Sequence, residues 1–125
     1  MDPVTDHDSY ADNETIFGKI LRREVPADIV HEDEYCLAFR DIDPQAPVHI
    51  LVIPKRHIEK LDDTDEGDRT LLGHLLHVAS RIAEKEGLSE AGFRIAINNG
   101  KSAGQLVYHV HVHLLGGRLF SWPPG

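Results

Sequence analysis

His109-Val110-His111-Val112-His113-Leu114-Leu115 alternates imidazole with aliphatic side chains, and a period of two is that of a β-strand. Extended backbone sends Val110, Val112 and Leu114 to one face, predicted to be the core face, and aims His109, His111 and His113 together at the other. Imidazole titrates near neutrality, so three on one face offer a nucleophile, a proton donor or a metal ligand. Three readings follow from the spacing: a polar strand face, a zinc site, or covalent phosphoryl or nucleotidyl chemistry in which a neutral ring nitrogen attacks phosphorus. Same-face neighbours stand about 6.5–7 Å apart. Two rings could therefore share an ion, but a third ligand would have to come from elsewhere, with His49 and His57 available. The segment just upstream, Asn98 to Gln105, adds weight to phosphate chemistry. It brings amide side chains and two glycines, Gly100 and Gly104, whose backbone can approach an anion closely.

Working outward, Ile29-Val30, Tyr35 to Phe39, Val48 to Ile53 and Phe93 to Ile97 are further short strand-like runs. The acidic turn His31-Glu32-Asp33-Glu34 separates the first two, and Pro54 ends the third. With Val107 to Leu115 they make five strands. Leu71, Leu72, Leu75, Val78, Ala79 and Ile82 recur at three- and four-residue intervals up to Gly87, which predicts one long amphipathic helix. Ile16, Phe17, Ile20 and Leu21 predict a short helix that Pro26 stops. The expected fold is α+β: a five-stranded antiparallel sheet with one long and one short helix, the long one covering one face. His74 and His77 fall on the long helix's polar face with Arg81 and Glu84, and read as solvated surface. Residues 1–13, with four aspartates and a proline, read as a disordered or loosely attached arm. That leaves residues 14–125 as a single domain including the C-terminal tail.

A chain of 125 residues, 41% hydrophobic, supports one core. Thirteen Lys and Arg against twenty-one Asp and Glu give a net charge of −8, which argues against a nucleic-acid partner, because non-specific affinity for the phosphate backbone comes from clustered cations. A small anion would have to be held by local donors against the overall field. Cys36 is the sole cysteine, so no intramolecular disulfide forms; it reads as a small buried hydrophobe in a protein of the reducing cytoplasm. No stretch approaches the about 18 apolar residues of a membrane span, and the first twenty residues lack a signal-peptide pattern. The expectation is a soluble, cytoplasmic protein without a membrane partner.

His109 to Leu115 fits His-φ-His-φ-His-φ-φ, with φ hydrophobic, and the chain resembles the histidine-triad (HIT) family. Thr15 to Ile20, Cys36 to Phe39, Asp41-Ile42 with Pro44 to Pro47, Leu51 to Lys55, Gly116 to Arg118 and Trp122-Pro123-Pro124-Gly125 are similar to the Hint branch in particular. The likeness runs over about residues 14–125.

The resemblance implies a purine nucleoside phosphoramidase or related nucleotide hydrolase acting on AMP or GMP conjugates, with no cofactor required and no metal assigned. It also implies a homodimer whose sheets join into one continuous ten-stranded sheet. Carried onto this sequence, His111 is the nucleophile on the α-phosphate and forms a nucleotidyl-histidine that water hydrolyses. His113 contacts the phosphate or leaving group, while His109 and His49 relay to His111 and keep its tautomer. Asp41 takes the ribose hydroxyls, and Ile16, Phe17, Ile20, Val25, Phe39 and Ile42 form the slot for the base. Asn98, Gly104, Gln105 and the backbone at Val107 hold the phosphate, and Trp122 reaches toward the partner's site. Leu106 departs from the branch, which commonly has serine there; a lost donor in a charge-stabilising site costs about 2–4 kcal/mol when nothing replaces it. Two other functions share the pattern, a nucleotide-binding scaffold with negligible turnover and a zinc-binding protein.

Overall fold

The computed structural model describes residues 13–125, so the expected arm falls outside the described residues except for its last member. That member, Asn13, is fully buried and belongs to the domain. Thr15 caps helix α1 (Ile16–Leu21), its hydroxyl accepting the Gly18 N–H at 3.1 Å. The helix ends well before Pro26. Arg23 turns left-handed (φ 63°), and the Arg23 and Glu24 N–H groups bond the carbonyls of Ile20 and Lys19, closing a Schellman turn.

The sheet comprises β1 (Ile29–Glu32), β2 (Cys36–Arg40), β3 (Val48–Pro54), β4 (Phe93–Ala96) and β5 (Val112–Gly116), paired antiparallel in the order β1-β2-β3-β5-β4. Helix α2 (Arg69–Lys85) connects β3 to β4. This is the α+β fold the alternation implied, with one long α-helix and one short among the described residues.

Period-two alternation sorts the side chains of β2 and β3 between two layers. Cys36, Ala38, Ile50 and Val52, with Val112 and Leu114 of β5, pack against Leu75, Val78, Ala79 and Ile82 of α2. Leu37, Phe39, Leu51 and Ile53 point the other way, against Phe17, Ile20 and Leu21 of α1. The second face is therefore partly covered too. His49 and His113 lie on this same face, diagonal neighbours on β3 and β5, because Leu51 pairs His113 and His49 pairs Leu115.

Two boundaries differ from the sequence reading. His31 and Glu32 pair with Ala38 and Leu37 inside β1, and the turn tightens to Asp33–Tyr35, with Asp33 Oδ1 accepting the Tyr35 and Cys36 N–H groups at 2.8 and 2.9 Å. The expected strand Val107–Leu115 shortens to β5. Continuing the β3–β5 register, which pairs Val52 with Val112, would set Val110 opposite Pro54, a residue without an N–H. The Val110 N–H instead donates to the Ile58 carbonyl at 2.7 Å, and the chain bends before Val112. Val110 is still buried, against Ile58 and Leu71.

Candidate active site

The bend separates the three histidines. His113 stands on β5, His111 just before it, and their ring centroids are 4.8 Å apart. His109 is fully buried and does not line the cleft that holds the other two. This corrects the expectation of three imidazoles presented side by side. The imidazole of His109 serves the scaffold: its Nε2 bonds the Pro54 carbonyl and its Nδ1 the Asn13 amide nitrogen, each at 2.8 Å, while His57 stacks on its ring. Since a carbonyl only accepts and an amide nitrogen only donates, His109 carries its proton on Nε2.

The same accounting assigns the other rings. His111 Nδ1 lies 2.8 Å from the carbonyl of His109, so it carries the proton, and the lone pair is left on Nε2. The His109 backbone, rather than its imidazole, thus sets the His111 tautomer, which revises the expected relay. The Gln45 N–H donates to His49 Nδ1 at 3.0 Å, so His49 is protonated on Nε2. That nitrogen is 2.9 Å from His113 Nδ1 and 3.5 Å from Asp41 Oδ2. Donation to His113 Nδ1 places the His113 proton on Nε2. Burial lowers the pKa of all four imidazoles below the ordinary value of 6.5, outweighing the opposing pull of nearby carboxylates and carbonyls. His109 and His113 are pushed down to about 4, His113 further by the charges of His111 and His49. The rings are therefore neutral at pH 7, the state a nucleophilic nitrogen requires.

His111, His113 and His49 form one end of a cleft of about 460 Å³. Ile16, Phe17 and Ile20 of α1, with Val25 and Phe39, form its apolar wall, and Phe17 meets the His111 ring edge-on at 5.0 Å. Asp41, beside His49, and Ile42, 97% exposed, also line the cleft. Asn98, Gly104, Leu106 and Val107 line it as well, from the segment ahead of the histidines. Gly104 ends the 3₁₀ turn Lys101–Ala103 at φ 88°, a left-handed conformation that glycine adopts without strain.

Two of the expected contacts lie elsewhere. Gln105 is buried behind the loop, its oxygen accepting the Gly100 N–H and its amide nitrogen donating to the Glu59 and Val107 carbonyls, so it braces the 98–107 segment of the cleft without lining it. Trp122, 80% exposed, lies outside the cleft near Arg94 of β4. The sequence reading also passed over Pro26, Ala27, Arg40, Asp43, Gln45 and Leu51, which line the cleft, and Asn13, which holds His109. Asn13-Glu14-Thr15 ahead of an apolar helix is a capping pattern that marks Asn13 as ordered; the contribution of Gln45 is a backbone N–H, which no side-chain pattern reveals.

Among the described residues, metal-ligating atoms of Asp41, His49 and His113 also lie within 4.8 Å of one another, so this end of the cleft has the donors for an ion. No helix among the described residues is long and apolar enough to cross a membrane.

The sequence profile of the HIT domain matches residues 22–119. An uncharacterised HIT-like protein of Synechococcus elongatus is 62% identical over 112 residues, 90% of this chain and 97% of that protein. A 14 kDa zinc-binding protein of Zea mays is 54% identical over 116 residues, 91% of this chain and 90% of its own. Among solved structures, a HIT family hydrolase from Legionella pneumophila superposes with a TM-score of 0.86 at 52% identity, covering 88% of this chain and 98% of that one.

Proposed function

This chain belongs to the HIT domain family, with the architecture of its hydrolases, and we propose that it cleaves purine nucleoside phosphoramidates or related nucleotidyl conjugates at the α-phosphate. The observation that carries this reading is the tautomer of His111. Its Nδ1–H is held by a backbone carbonyl, so a neutral nucleophilic Nε2 is left on a residue that lines a nucleotide-sized cleft. The base lies against Phe17, Ile20 and Phe39, the ribose diol meets the Asp41 carboxylate, and the phosphate reaches the wall formed by Asn98, Gly104 and Val107. His111 Nε2 bonds phosphorus as the bond to the amine breaks. His113 offers its Nε2–H to the departing nitrogen, with His49 backing it through Nδ1. Water then cleaves the phosphorus–histidine bond, and the proton it gives up restores the imidazole pair. This chemistry requires no cofactor.

The homodimer is part of the same reading. Strand β4 ends the sheet, and its open edge suits pairing with a second copy into a ten-stranded sheet. The Phe120 and Trp122 rings lie over the guanidinium of Arg94 on that strand, which supports a tail that reaches the partner's cleft in the dimer of this reading. The lone buried thiol of Cys36 fits a reducing compartment, and we assign the protein to the cytoplasm.

His111→Gly is expected to abolish hydrolysis of an adenosine phosphoramidate while retaining the circular dichroism spectrum and AMP affinity of the wild type. Undiminished turnover in that variant refutes the nucleophile assignment. Wild-type protein that binds AMP but turns over no conjugate in a phosphoramidate and aminoacyl-adenylate panel would be a scaffold instead. The trio Asp41, His49 and His113 favours a second reading, zinc binding in the same cleft; elemental analysis of wild type and His113→Gln decides it.

A further inference from the structure

A second constellation lies away from the cleft, where the β1–β2 turn meets α2. Asp33 Oδ2 is approached by His31 Nε2 at 2.7 Å, His74 Nε2 at 2.8 Å and Cys36 Sγ at 3.4 Å. The ligand atoms of His31, Asp33 and Cys36 lie within 4.8 Å of one another, and His74 shares the same carboxylate oxygen. Three secondary-structure elements supply the group: β1 gives His31, β2 gives Cys36 and α2 gives His74. The sequence reading left these residues as an acidic turn, a buried hydrophobe and solvated helix surface; the fold brings them together.

We propose that His31, Asp33, Cys36 and His74 form a binding site for a divalent cation of the zinc class, which ties the β1–β2 turn to α2. The donor set decides the class of ion. Two imidazoles, one thiol and one carboxylate are the ligand types of tetrahedral zinc, whereas calcium and magnesium prefer oxygen alone. Pre-organisation decides the place. The other carboxylate oxygen of Asp33 is anchored by the Tyr35 and Cys36 N–H groups, which fixes Oδ2 toward the imidazoles, the supporting arrangement that metal ligands commonly have. Tyr35 packs edge-on against the His74 ring at 5.6 Å.

Ligand atoms around a four-coordinate zinc at about 2.0–2.1 Å stand about 3.3 Å apart. The Sγ–Oδ2 separation of 3.4 Å already matches, the two imidazole–carboxylate contacts must open by about half an ångström as the ion replaces the shared protons, and His74, which stands outside the 4.8 Å group of the other three, must also swing toward them. Side-chain rotation of His31 and His74 supplies that movement, since each is roughly a quarter exposed (28% and 27%). Their exposure also gives the ion its entry, while the sulfur below is buried.

Cobalt(II) titrated into the full chain tests the site, because Cys36 is the sole cysteine and a thiolate-to-cobalt charge-transfer band can arise nowhere else. We expect one equivalent to develop that band with tetrahedral d–d absorption, and zinc to displace it. His31→Gln and His74→Gln, at partly exposed positions, are expected to weaken zinc roughly tenfold or more in competition with a chromophoric chelator. They should also remove the zinc-dependent rise in melting temperature and leave adenosine phosphoramidate turnover unchanged. The proposal is overturned if wild-type protein shows no thiolate band, if both variants bind zinc like the wild type, or if only His113→Gln loses the ion. It stands independently of the proposed hydrolase activity, since none of its residues lines the cleft.

Discussion

Asn13→Ala tests how the start of the domain supports the histidines. Among the described residues the side chain makes three hydrogen bonds: its amide nitrogen donates to His109 Nδ1 at 2.8 Å, and its oxygen accepts from the Thr15 N–H at 3.1 Å and the Thr15 hydroxyl at 2.6 Å. Alanine leaves His109 Nδ1 fully buried without a donor, a loss of about 1–3 kcal/mol. The bonds to Thr15, which caps α1, contribute about 1 kcal/mol more. The expected destabilisation is about 2–4 kcal/mol, or roughly 8–16 °C in melting temperature at about 4 °C per kcal/mol for a chain of this size. Because α1 carries Ile16, Phe17 and Ile20 of the cleft, KM for a nucleotide conjugate should rise as well. Urea and thermal unfolding of both proteins measure the stability term. Asn13→Asp sharpens the test: it keeps the Thr15 bonds but offers His109 Nδ1 an acceptor in place of a donor. With Nε2–H already given to Pro54, the pair is satisfied only if His109 becomes an imidazolium. Its titration, followed by NMR, should move up from about 4. An alanine variant within about 0.5 kcal/mol of wild type would refute the reasoning.

The pH dependence of turnover follows from the lowered pKa of His111, which burial causes against the pull of the His109 carbonyl and Asp41. Protonation removes the nucleophile, so the acid limb of kcat/KM should be centred below pH 6.5; an acid limb centred above 6.5 would contradict the burial argument. Stability has the same direction. The unfolded chain takes up a proton on His109 below about 6.5, while the folded ring resists until about 4, so stability should be lost as pH falls through that window, by about 3 kcal/mol at most for this group, as measured by urea unfolding. Leu106, 90% exposed on the cleft wall, can be replaced by serine without a folding cost above about 0.5 kcal/mol. The new hydroxyl is expected to raise kcat/KM by about tenfold or more, and an unchanged value would mean that the phosphate does not pass that wall. Gly104→Ala forces a left-handed alanine, costing about 1 kcal/mol, and should raise KM more than it lowers kcat in steady-state assays.

Much was legible from the sequence because the cause was local. The alternation His109 to Leu115 fixed which faces Val112, Leu114 and His113 occupy, since pleating is a property of extended backbone whatever surrounds it. The three- and four-residue spacing of Leu71 to Ile82 gave α2 and its buried stripe for the same reason. The family likeness located the cleft's apolar wall and Asp41, whose types alone would have read as core and surface.

Tertiary structure decided what depends on a partner distant in the chain. Where the β3–β5 ladder stops is set by Pro54 standing opposite Val110, so only the folded register shows that His109 leaves the cleft and lends its carbonyl to His111. Asn13 is buried because it meets His109, 96 residues away, and Gln105 turns inward because Glu59 offers a carbonyl. His74, read as solvent-facing on helical spacing, meets Asp33 across 41 residues. A side-chain pattern records which atoms a residue carries, but the direction of a hydrogen bond, and hence a tautomer, belongs to the pair that folding brings together.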